Sequence, residues 1–335
     1  MPRLLRLIVV ALLGVGIGLL GYVAWLLVTN PGPRDALGWT LLAPLPVARG
    51  ETATTVADGR LYIVGGLAGL PGEASAEVSV YDPAGDAWST AGHLPTARHH
   101  AAAAALGGTI YIAGGGPSAA DWTPQPTLWS LAPGADAWQE RAPMPEGRLG
   151  HRMLAVAGRL YVSGGIGSTG QVLVYDPDTD AWSTGTAMPA PRDHLAAVVV
   201  GREIWAIGGR SAGQIHARVD IYDTTADAWR DGPALPAPTS GASEAVVDGV
   251  ILVSGGEDPG ALGSVIDRHW MLDTRAGTAA TWEPLSPPPF AVHGAQGAAV
   301  EGRFLIVGGA LRPGASSRFS WTDATQSYDP SGDYQ

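Results

Sequence analysis

The chain of 335 residues contains no cysteine, no lysine and only three phenylalanines. Without cysteine it cannot form disulfides, thiolate nucleophiles or thiolate-bound metal sites. Lysine is absent and glutamate occurs only ten times, so the usual solvent-facing helix formers are scarce and a helical domain is a poor fit. The formal charge of −11 disfavours a nucleic-acid groove, because phosphate binding needs a basic surface. We therefore expect no nucleic-acid partner.

Turn-forming residues are abundant instead. The 47 glycines and 27 prolines make up 74 of the 335 residues, or 22%, which is roughly twice the usual share. Hydrophobic residues, at 46%, are sufficient for a core, and this excludes intrinsic disorder. Together these values favour an all-β protein with many short strands and turns.

The N-terminal region contains one long apolar run. Residues 7–28 carry no charged side chain, and as a helix they would reach about 33 Å, enough to cross a bilayer core. Arg3 and Arg6 precede the run, so the positive-inside rule places the rest of the chain outside the cytoplasm. A cleaved signal peptide is the alternative, although its apolar region is usually about 7–15 residues long. The sequence predicts a signal-anchor transmembrane helix over 1–28, a linker over 29–38 and a periplasmic or extracellular domain over 39–335.

One spacing pattern recurs six times after the apolar run. In each copy a tryptophan is followed seven residues later by a proline and 26 residues later by a Gly-Gly pair that ends an apolar stretch. The tryptophans are Trp39, Trp88, Trp138, Trp182, Trp229 and Trp282, and the pairs begin at Gly65, Gly114, Gly164, Gly208, Gly255 and Gly308. Six copies without an insertion in the spaced segment indicate a repeat architecture.

Each copy is typical of four short strands. A small apolar strand follows the proline, a tight turn such as Asp58-Gly59 leads into the strand that ends in Gly-Gly, and the third strand ends in Tyr-Asp or a related pair. These pairs are Tyr81-Asp82, Tyr175-Asp176, Tyr222-Asp223, Leu272-Asp273 and Tyr328-Asp329. With Gly-Gly, Tyr-Asp and Trp repeating every 44 to 53 residues, residues 39–335 resemble kelch repeats, which are blades of β-propellers. The resemblance implies a six-bladed kelch propeller.

The ends of the repeat region suggest how the ring closes. The chain stops at Gln335, where the outer strand of the sixth repeat is expected to begin, and the strand at Trp39 precedes the first complete repeat. We therefore expect this strand to pair into the last blade. We call the side that carries the first turn of each blade the turn face, and the side that carries the long, variable loops the loop face. Because an outer strand runs from the turn face to the loop face, the chain is expected to approach Trp39 from the turn face, next to the membrane.

Charged side chains recur on the loop face. Four arginines lie three residues after the repeat proline, and Glu51, His100 and His194 lie two residues further on. The arginines are Arg49, Arg98, Arg148 and Arg192. A ring of guanidiniums around the channel mouth would hold a carboxylate or another anion by charge-assisted hydrogen bonds. The resemblance adds that kelch domains of ubiquitin-ligase adaptors bind acidic peptides with arginines in this part of the blade. The alternative is that each arginine braces a blade.

A tryptophan in a long loop adds a further candidate. Trp122 lies in the loop of the second repeat, where an exposed indole is either an interaction anchor or a lid over its own blade. We include it among the predicted ligand-binding residues.

Catalytic alternatives stay open. Histidines from separate blades can be metal ligands, which the spacing neither supports nor excludes. A copper site of the galactose oxidase type is excluded, because it requires a cysteine cross-linked to a tyrosine. A resemblance to kelch-type sialic-acid mutarotases would make His194 or His100 the general acid and base, with Arg192 and Arg98 on the carboxylate.

The sequence therefore predicts a membrane-tethered scaffold that binds a protein segment or an acidic small ligand. No cofactor and no metal are expected, and a binding role is favoured over an enzymatic one. A carbohydrate-active enzyme of the mutarotase type and a structural subunit of a membrane complex are the alternatives.

Overall fold

The computed structural model describes residue 21 and residues 30–70, 72–260 and 263–332. The predicted signal anchor over 1–28 lies outside these residues except for Gly21. Within the described ranges, no helix combines the length and the apolar character that a membrane crossing requires.

The described residues form six four-stranded antiparallel sheets, which confirms the all-β prediction. Each sheet is given from its innermost to its outermost strand. The first three sheets are Ala53–Ala57, Arg60–Val64, Glu77–Asp82 and Ala87–His93; Ala102–Leu106, Thr109–Ala113, Leu128–Leu131 and Gln139–Arg141; and Arg152–Val156, Arg159–Ser163, Val172–Asp176 and Ala181–Gly185. The last three are Ala196–Val200, Glu203–Ile207, Val219–Asp223 and Ala228–Asp231; Ser243–Val247, Val250–Ser254, His269–Asp273 and Glu283–Leu285; and Gly297–Val300, Arg303–Val307, Thr325–Tyr328 and Trp39–Leu42.

Shorter elements lie outside the six sheets. Three small ribbons extend the loops after the Gly-Gly pairs of the first, fourth and fifth sheets, and two 3-10 helices complete the secondary structure of the described residues. The ribbons are Arg49–Gly50 with Leu67–Ala68 and Glu73–Ala74, Arg210–Ser211 with Gln214–Ile215, and Glu257–Asp258 with Ser264–Val265. The 3-10 helices are Thr274–Ala279 and Gly314–Phe319.

The six sheets are arranged around one axis. The innermost strand of each sheet packs beside the innermost strands of the sheets before and after it, and the sixth packs beside the first. Small side chains make this crowding possible, as in Ala102–Leu106, which contains four alanines. The apolar core lies between neighbouring sheets, where residues such as Ile207, Ile221 and Val253 are buried together.

The Gly-Gly pairs connect one sheet to the next. In every copy the N–H of the second glycine donates to a backbone carbonyl of the following sheet, as from Gly115 to Arg148 at 2.8 Å. Both glycines have positive φ, and a Cβ on Gly208 would lie 2.7 Å from the Thr239 carbonyl oxygen. The bond from Gly309 to Arg49, at 2.9 Å, joins the sixth sheet to the first. Glycine is therefore required by both the conformation and the close approach.

The repeated tryptophans make a second connection between sheets. The indole N–H of Trp88 donates to the Ala43 carbonyl at 2.9 Å, and that of Trp182 donates to Ala142 at 2.7 Å. The strand at Trp39–Leu42 is the outermost strand of the sixth sheet, where Trp39 lies opposite Tyr328. The last sheet therefore combines segments from both ends of the described chain.

The path of the linker differs from the one predicted. Instead of approaching from the turn face, the linker packs on loop-face segments: Arg34 donates to the carbonyl of Pro288 at 2.9 Å, and Asn30 accepts from Arg312 at 3.3 Å. The chain then reverses through a tight turn in which Gly38 has a φ of 81° and Trp39 N–H bonds to the Ala36 carbonyl. The strand direction fixes the chain only at Trp39, and this turn changes its course immediately before.

Candidate functional site

Six residues form a closed hydrogen-bonded circle around the axis on the loop face. We call them the axial ring, and they are Glu51, His100, Gly150, His194, Gly241 and Gly294. The N–H of each residue donates to the carbonyl of the residue before it in the circle, and the N–H of Glu51 donates to Gly294, with distances from 2.5 to 3.0 Å. Each segment that connects one sheet to the next contributes one residue to the axial ring. That residue lies two positions after the place where four of the repeats have an arginine. The ring therefore brings together residues that are far apart in sequence.

All six residues of the axial ring have left-handed backbone conformations, with φ between 50° and 65°. Glycine adopts this conformation without cost, whereas other L-residues lose about 1–2 kcal/mol each. Glu51, His100 and His194 are therefore strained where three other sheets have glycine. The glycines also leave room for side chains, because a Cβ on Gly150 would lie 2.9 Å from the His194 imidazole, and one on Gly294 would contact the Glu51 carboxylate.

A pocket of about 430 Å³ lies on the axial ring and opens on the loop face. We call it the axial pocket. The side chains of Glu51, His100 and His194 form its floor, and its walls include Trp122, Asp193, Arg210, Glu257, His293 and Arg318. Beyond the ring, the space along the axis narrows to about 20 Å³, which is about one water-sized probe.

Three side chains are linked on one side of the floor. His99 donates from Nε2 to the Ser118 carbonyl at 2.8 Å, its Nδ1 lies 2.5 Å from Nδ1 of His100, and His100 Nε2 lies 3.0 Å from Glu51 Oε2. Burial lowers the pKa of His99 and, together with the positive potential of the neighbouring His and Arg side chains, places the pKa of His100 well below its usual value. Both imidazoles are therefore neutral near pH 7.

Four side chains form a charged network on the opposite side. His194 Nδ1 bonds to Asp193 at 2.5 Å, and Arg210 bridges Asp193 at 3.0 Å and Glu257 at 2.9 Å. Burial would raise the pKa of Asp193, but the hydrogen bond from His194 and the charge and hydrogen bond of Arg210 outweigh it and hold the pKa below its usual value. The pKa of Glu257 is lowered in the same way, against burial, by His293, the Gly314 N–H and Arg210. Both side chains are therefore carboxylates.

An aromatic side chain covers the pocket edge. The indole of Trp122 lies 4.6 Å from the His100 ring, centroid to centroid, and is 39% exposed. Its N–H is held by the Ala119 carbonyl at 3.1 Å. The open face of the ring is available to stack on a ligand.

Comparison with known proteins identifies the repeats. The KLHDC2/KLHL20/DRC7 Kelch-repeats domain matches residues 141–309, about half of the chain. This chain belongs to the kelch-repeat family. The kelch motif also matches residues 48–95, which places a kelch repeat in the first sheet as well.

A curated relative and a solved structure extend the comparison. The Kelch-like protein terF of Aspergillus terreus (strain NIH 2624 / FGSC A1156) is 25% identical over 178 residues, which are 52% of this chain and 30% of that protein. The kelch chain thus spans about a third of the length of that relative. A solved structure described as "Structure of YjhT" superposes with a TM-score of 0.71 at 18% identity, over 85% of this chain and 96% of the other. That likeness shows the fold alone.

The four predicted arginines do not form a ring at the mouth of the kelch channel. Each is buried and folds back into its own sheet or the adjoining loop: Arg192 pairs with Asp220 at 2.6 Å, and Arg49 pairs with Glu77 at 3.1 Å. Arg148 pairs with Glu146. Arg98 lies 4.8 Å from the centre of the Trp129 ring. The basis for an anion held by these four side chains is therefore removed, and the bracing alternative describes their contacts.

The other predicted residues of the kelch domain do come together. Glu51, His100, His194 and Trp122 all line the axial pocket. Sequence reasoning missed Asp193, Arg210 and Glu257 as part of the site. Their positions carry a signal, because Asp193 directly precedes an axial-ring residue, while Arg210 and Glu257 directly follow Gly-Gly pairs. Comparing those positions across the six repeats would have found them.

Proposed function

We propose that this chain is a six-bladed kelch propeller that binds a small polar ligand in the axial pocket. The observation that carries the proposal is the strain at Glu51, His100 and His194. The fold accepts glycine at the other three positions of the axial ring, so a closed ring does not require these side chains. Strained backbone of this kind is typical of functional sites.

The lining of the pocket suggests the class of ligand. A pocket volume of about 430 Å³ suits a small molecule rather than the surface of a folded protein. The carboxylates of Glu51, Asp193 and Glu257 accept hydrogen bonds from hydroxyl groups, and Trp122 offers an aromatic face for a sugar-like ring. Arg318 lies at the wall as a donor for an anionic group. A polyhydroxylated ligand, such as a sugar or a sugar acid, fits these features.

Ligand-observed NMR on the full chain in mild detergent tests the proposal. A panel of neutral hexoses and sugar acids is screened by saturation transfer, first with the native protein and then with Trp122→Ala and Glu257→Gln. We expect a signal from at least one sugar class and its loss in both variants. Glu301→Gln, on the turn face, is the matched control and should retain binding. An equal signal in all four proteins, or none from the whole panel, would contradict the assignment.

A second candidate function is supported by the contact between His194 and Asp193. At 2.5 Å the carboxylate orients the imidazole in the pocket, as in general acid and base pairs. The reaction would be ring opening of a sugar, of the mutarotase type that the kelch resemblance suggests. Anomer interconversion followed by NMR tests it: turnover should be lost in His194→Gly and reduced in Asp193→Asn. If a sugar binds but its anomers interconvert only at the uncatalysed rate, the mutarotase function is contradicted and binding alone is the function.

A protein segment is the other occupant that the sequence predicts. The exposed Trp122 and the long loop-face connections support it, because aromatic side chains commonly anchor such contacts. Pull-down from the native membrane followed by mass spectrometry, with Trp122→Ala as the comparison, tests it. A partner recovered equally well by both proteins does not use this pocket.

Tethering to a membrane is also part of the proposal. The uncharged run over residues 7–28 with Arg3 and Arg6 before it supports an anchor with the propeller on the extracytoplasmic side. Alkaline carbonate extraction and protease accessibility of intact cells test it. Release of the full chain into the soluble fraction, or full protection of the propeller inside the cell, would contradict it.

A further inference from the structure

Hydrogen bonds at the pocket floor determine where the ring hydrogens of two histidines lie. The Ser118 carbonyl oxygen only accepts, so His99 Nε2, 2.8 Å away, carries a hydrogen. In a neutral imidazole the other nitrogen is then an acceptor, so the 2.5 Å contact between the two Nδ1 atoms places the hydrogen on His100. His100 Nε2 therefore presents a lone pair.

That lone pair faces a second acceptor. Glu51 Oε2 lies 3.0 Å from His100 Nε2, and both side chains are largely buried. Two acceptors at this distance repel each other, so a cation is needed between them, either a proton or a metal ion. His293 repeats the arrangement: its Nε2 donates to the Arg312 carbonyl at 2.8 Å, and its Nδ1 lies 3.7 Å from Glu51 Oε1.

A third side chain favours a metal ion over a proton. One ligand atom from each of Glu51, His100 and His194 lies within 4.8 Å of the other two, although the three residues come from three separate sheet connections. The hydrogen bond from His194 Nδ1 to Asp193 is the outer contact that metal-bound histidines usually make. A single shared proton requires neither the third side chain nor this orientation.

One contact competes with metal binding. Nη2 of Arg210 lies 3.1 Å from His194 Nε2, which is the nitrogen left to bind a metal. Arg210 keeps Asp193 and Glu257 as ion-pair partners when this one contact is given up. The guanidinium can therefore turn aside without losing its charge partners.

We propose that Glu51, His100 and His194 bind one divalent first-row transition metal ion at the floor of the axial pocket. Two imidazoles and one carboxylate that leave coordination positions open are typical of Zn²⁺ and Fe²⁺ sites. The open positions face the pocket, where a ligand oxygen reaches the ion. A metal site explains why all three axial-ring positions that carry side chains accept backbone strain. The metal site does not depend on which ligand the axial pocket binds.

Cobalt titration of the full chain tests the metal site. The protein, purified in mild detergent without a histidine tag and stripped with a chelator, is titrated with Co²⁺ and followed by visible absorption. Zn²⁺ is then added in competition, and bound metal is counted by mass spectrometry. We expect one Co²⁺ per chain, displaced by one Zn²⁺. Glu51→Gly, His100→Gly and His194→Gly should each weaken binding by at least about 100-fold, since even loss of outer contacts costs about 10- to 100-fold.

The choice of glycine keeps the variants folded. Gly150, Gly241 and Gly294 already occupy equivalent positions with φ of 63° to 65°, so the substitutions relieve strain and should not lower the melting temperature. His93→Asn, on an exposed outer strand, is the matched control and should bind Co²⁺ as the native chain does. Arg210→Gln should tighten Co²⁺ binding by removing the competing cation.

Three results would overturn the inference: no stoichiometric Co²⁺ in the native chain, equal binding in the three glycine variants, or loss of binding in His93→Asn. Sugar binding by the metal-free protein is measured separately. The metal site and the proposed ligand site can therefore fail independently.

Discussion

At the scale of single residues, the positive φ values divide the glycines into two groups. At some positions only the positive φ favours glycine. In the Gly-Gly pairs a neighbouring carbonyl oxygen also lies where the Cβ of any other residue would be. A Cβ on Gly115 would lie 2.7 Å from the His99 carbonyl oxygen, while one on Gly134 would meet nothing within 4 Å. Both have positive φ, of 87° and 71°.

Substitution by alanine should separate these two costs. We expect Gly134→Ala to lower the free energy of unfolding by about 1 kcal/mol, from strain alone. Gly115→Ala should lower it by about 3 kcal/mol, because the connection to the next sheet must also shift. Denaturant titration of both variants measures the difference. Equal losses would show that the close approach carries no energetic weight.

A buried histidine between the last two sheets should make stability depend on pH. His269 packs 5.1 Å from the Trp39 ring and 4.7 Å from the Tyr328 ring, and burial lowers its pKa to about 3. In the unfolded chain its pKa is about 6.5, so between these values the unfolded state binds more protons. The contribution of His269 to stability is therefore complete above pH 6.5 and declines as the pH falls toward 3.

We expect the melting temperature to fall between pH 7 and pH 4, and His269→Phe to reduce this fall while keeping an aromatic ring in the cluster. Thermal unfolding by circular dichroism at several pH values measures it. His93→Gln, on the exposed outer strand of the first sheet, should leave the pH profile unchanged. An identical profile for native protein and His269→Phe would refute the assignment.

At the scale of elements, the arginines after the repeat prolines belong to the sheets. The carbonyl of Arg192 accepts from Gly165 of the preceding sheet at 3.0 Å, and its guanidinium bonds to Asp220 and to the Ala206 carbonyl at 2.9 Å inside its own sheet. One residue thus connects two sheets through its backbone and braces one of them through its side chain.

Removing the Arg192 side chain should lower the stability of the fold and leave ligand binding unchanged. Arg192→Met leaves Asp220 buried with Arg218 as its remaining partner at 2.7 Å, and we expect a loss of about 3 kcal/mol in the free energy of unfolding. Sugar binding below the melting temperature should be unchanged, because Arg192 does not line the axial pocket. If the Arg192→Met protein is folded but does not bind sugar, Arg192 belongs to the binding site and this prediction is wrong.

The sequence predicted the elements better than the direction of their side chains. Gly-Gly and Trp positions have fixed backbone and packing roles, so their spacing predicted repeated sheets. The resemblance of these residues and of the Tyr-Asp pairs to kelch repeats predicted the family, and both the all-β fold and the family are confirmed. An arginine after the repeat proline has a long, flexible side chain, and spacing cannot tell whether it extends toward the axis or back into its sheet. The same limit hid Arg210, whose contacts with Asp193 and His194 depend on two separate loops folding together.

At the scale of the whole molecule, the linker places the N-terminal side of the described chain beside the loop face. Arg34 pairs with Asp267, and Asn30 contacts Arg312, whose carbonyl also binds His293 at the pocket wall. If residues 7–28 anchor the chain as proposed, only a few residues separate the bilayer from the axial pocket.

We therefore expect the loop face to lie toward the membrane. Because the native chain has no cysteine, Ala120→Cys on the loop face and Thr179→Cys on the turn face each give a single labelling site. In reconstituted liposomes, lipid-borne quenchers should reduce the fluorescence of the Ala120→Cys label more strongly. Stronger quenching at Thr179→Cys would reverse the orientation.

The closed circle of amides in the axial ring has an electrical consequence. Six peptide dipoles follow one another head to tail around the axis, so their components in the plane of the circle cancel, in contrast to the aligned dipoles of a helix. The polarity of the axial pocket is therefore set by the charged side chains of its lining. Because the space along the axis narrows to about 20 Å³ beyond the ring, a sugar-sized molecule that enters the pocket must leave through the same opening.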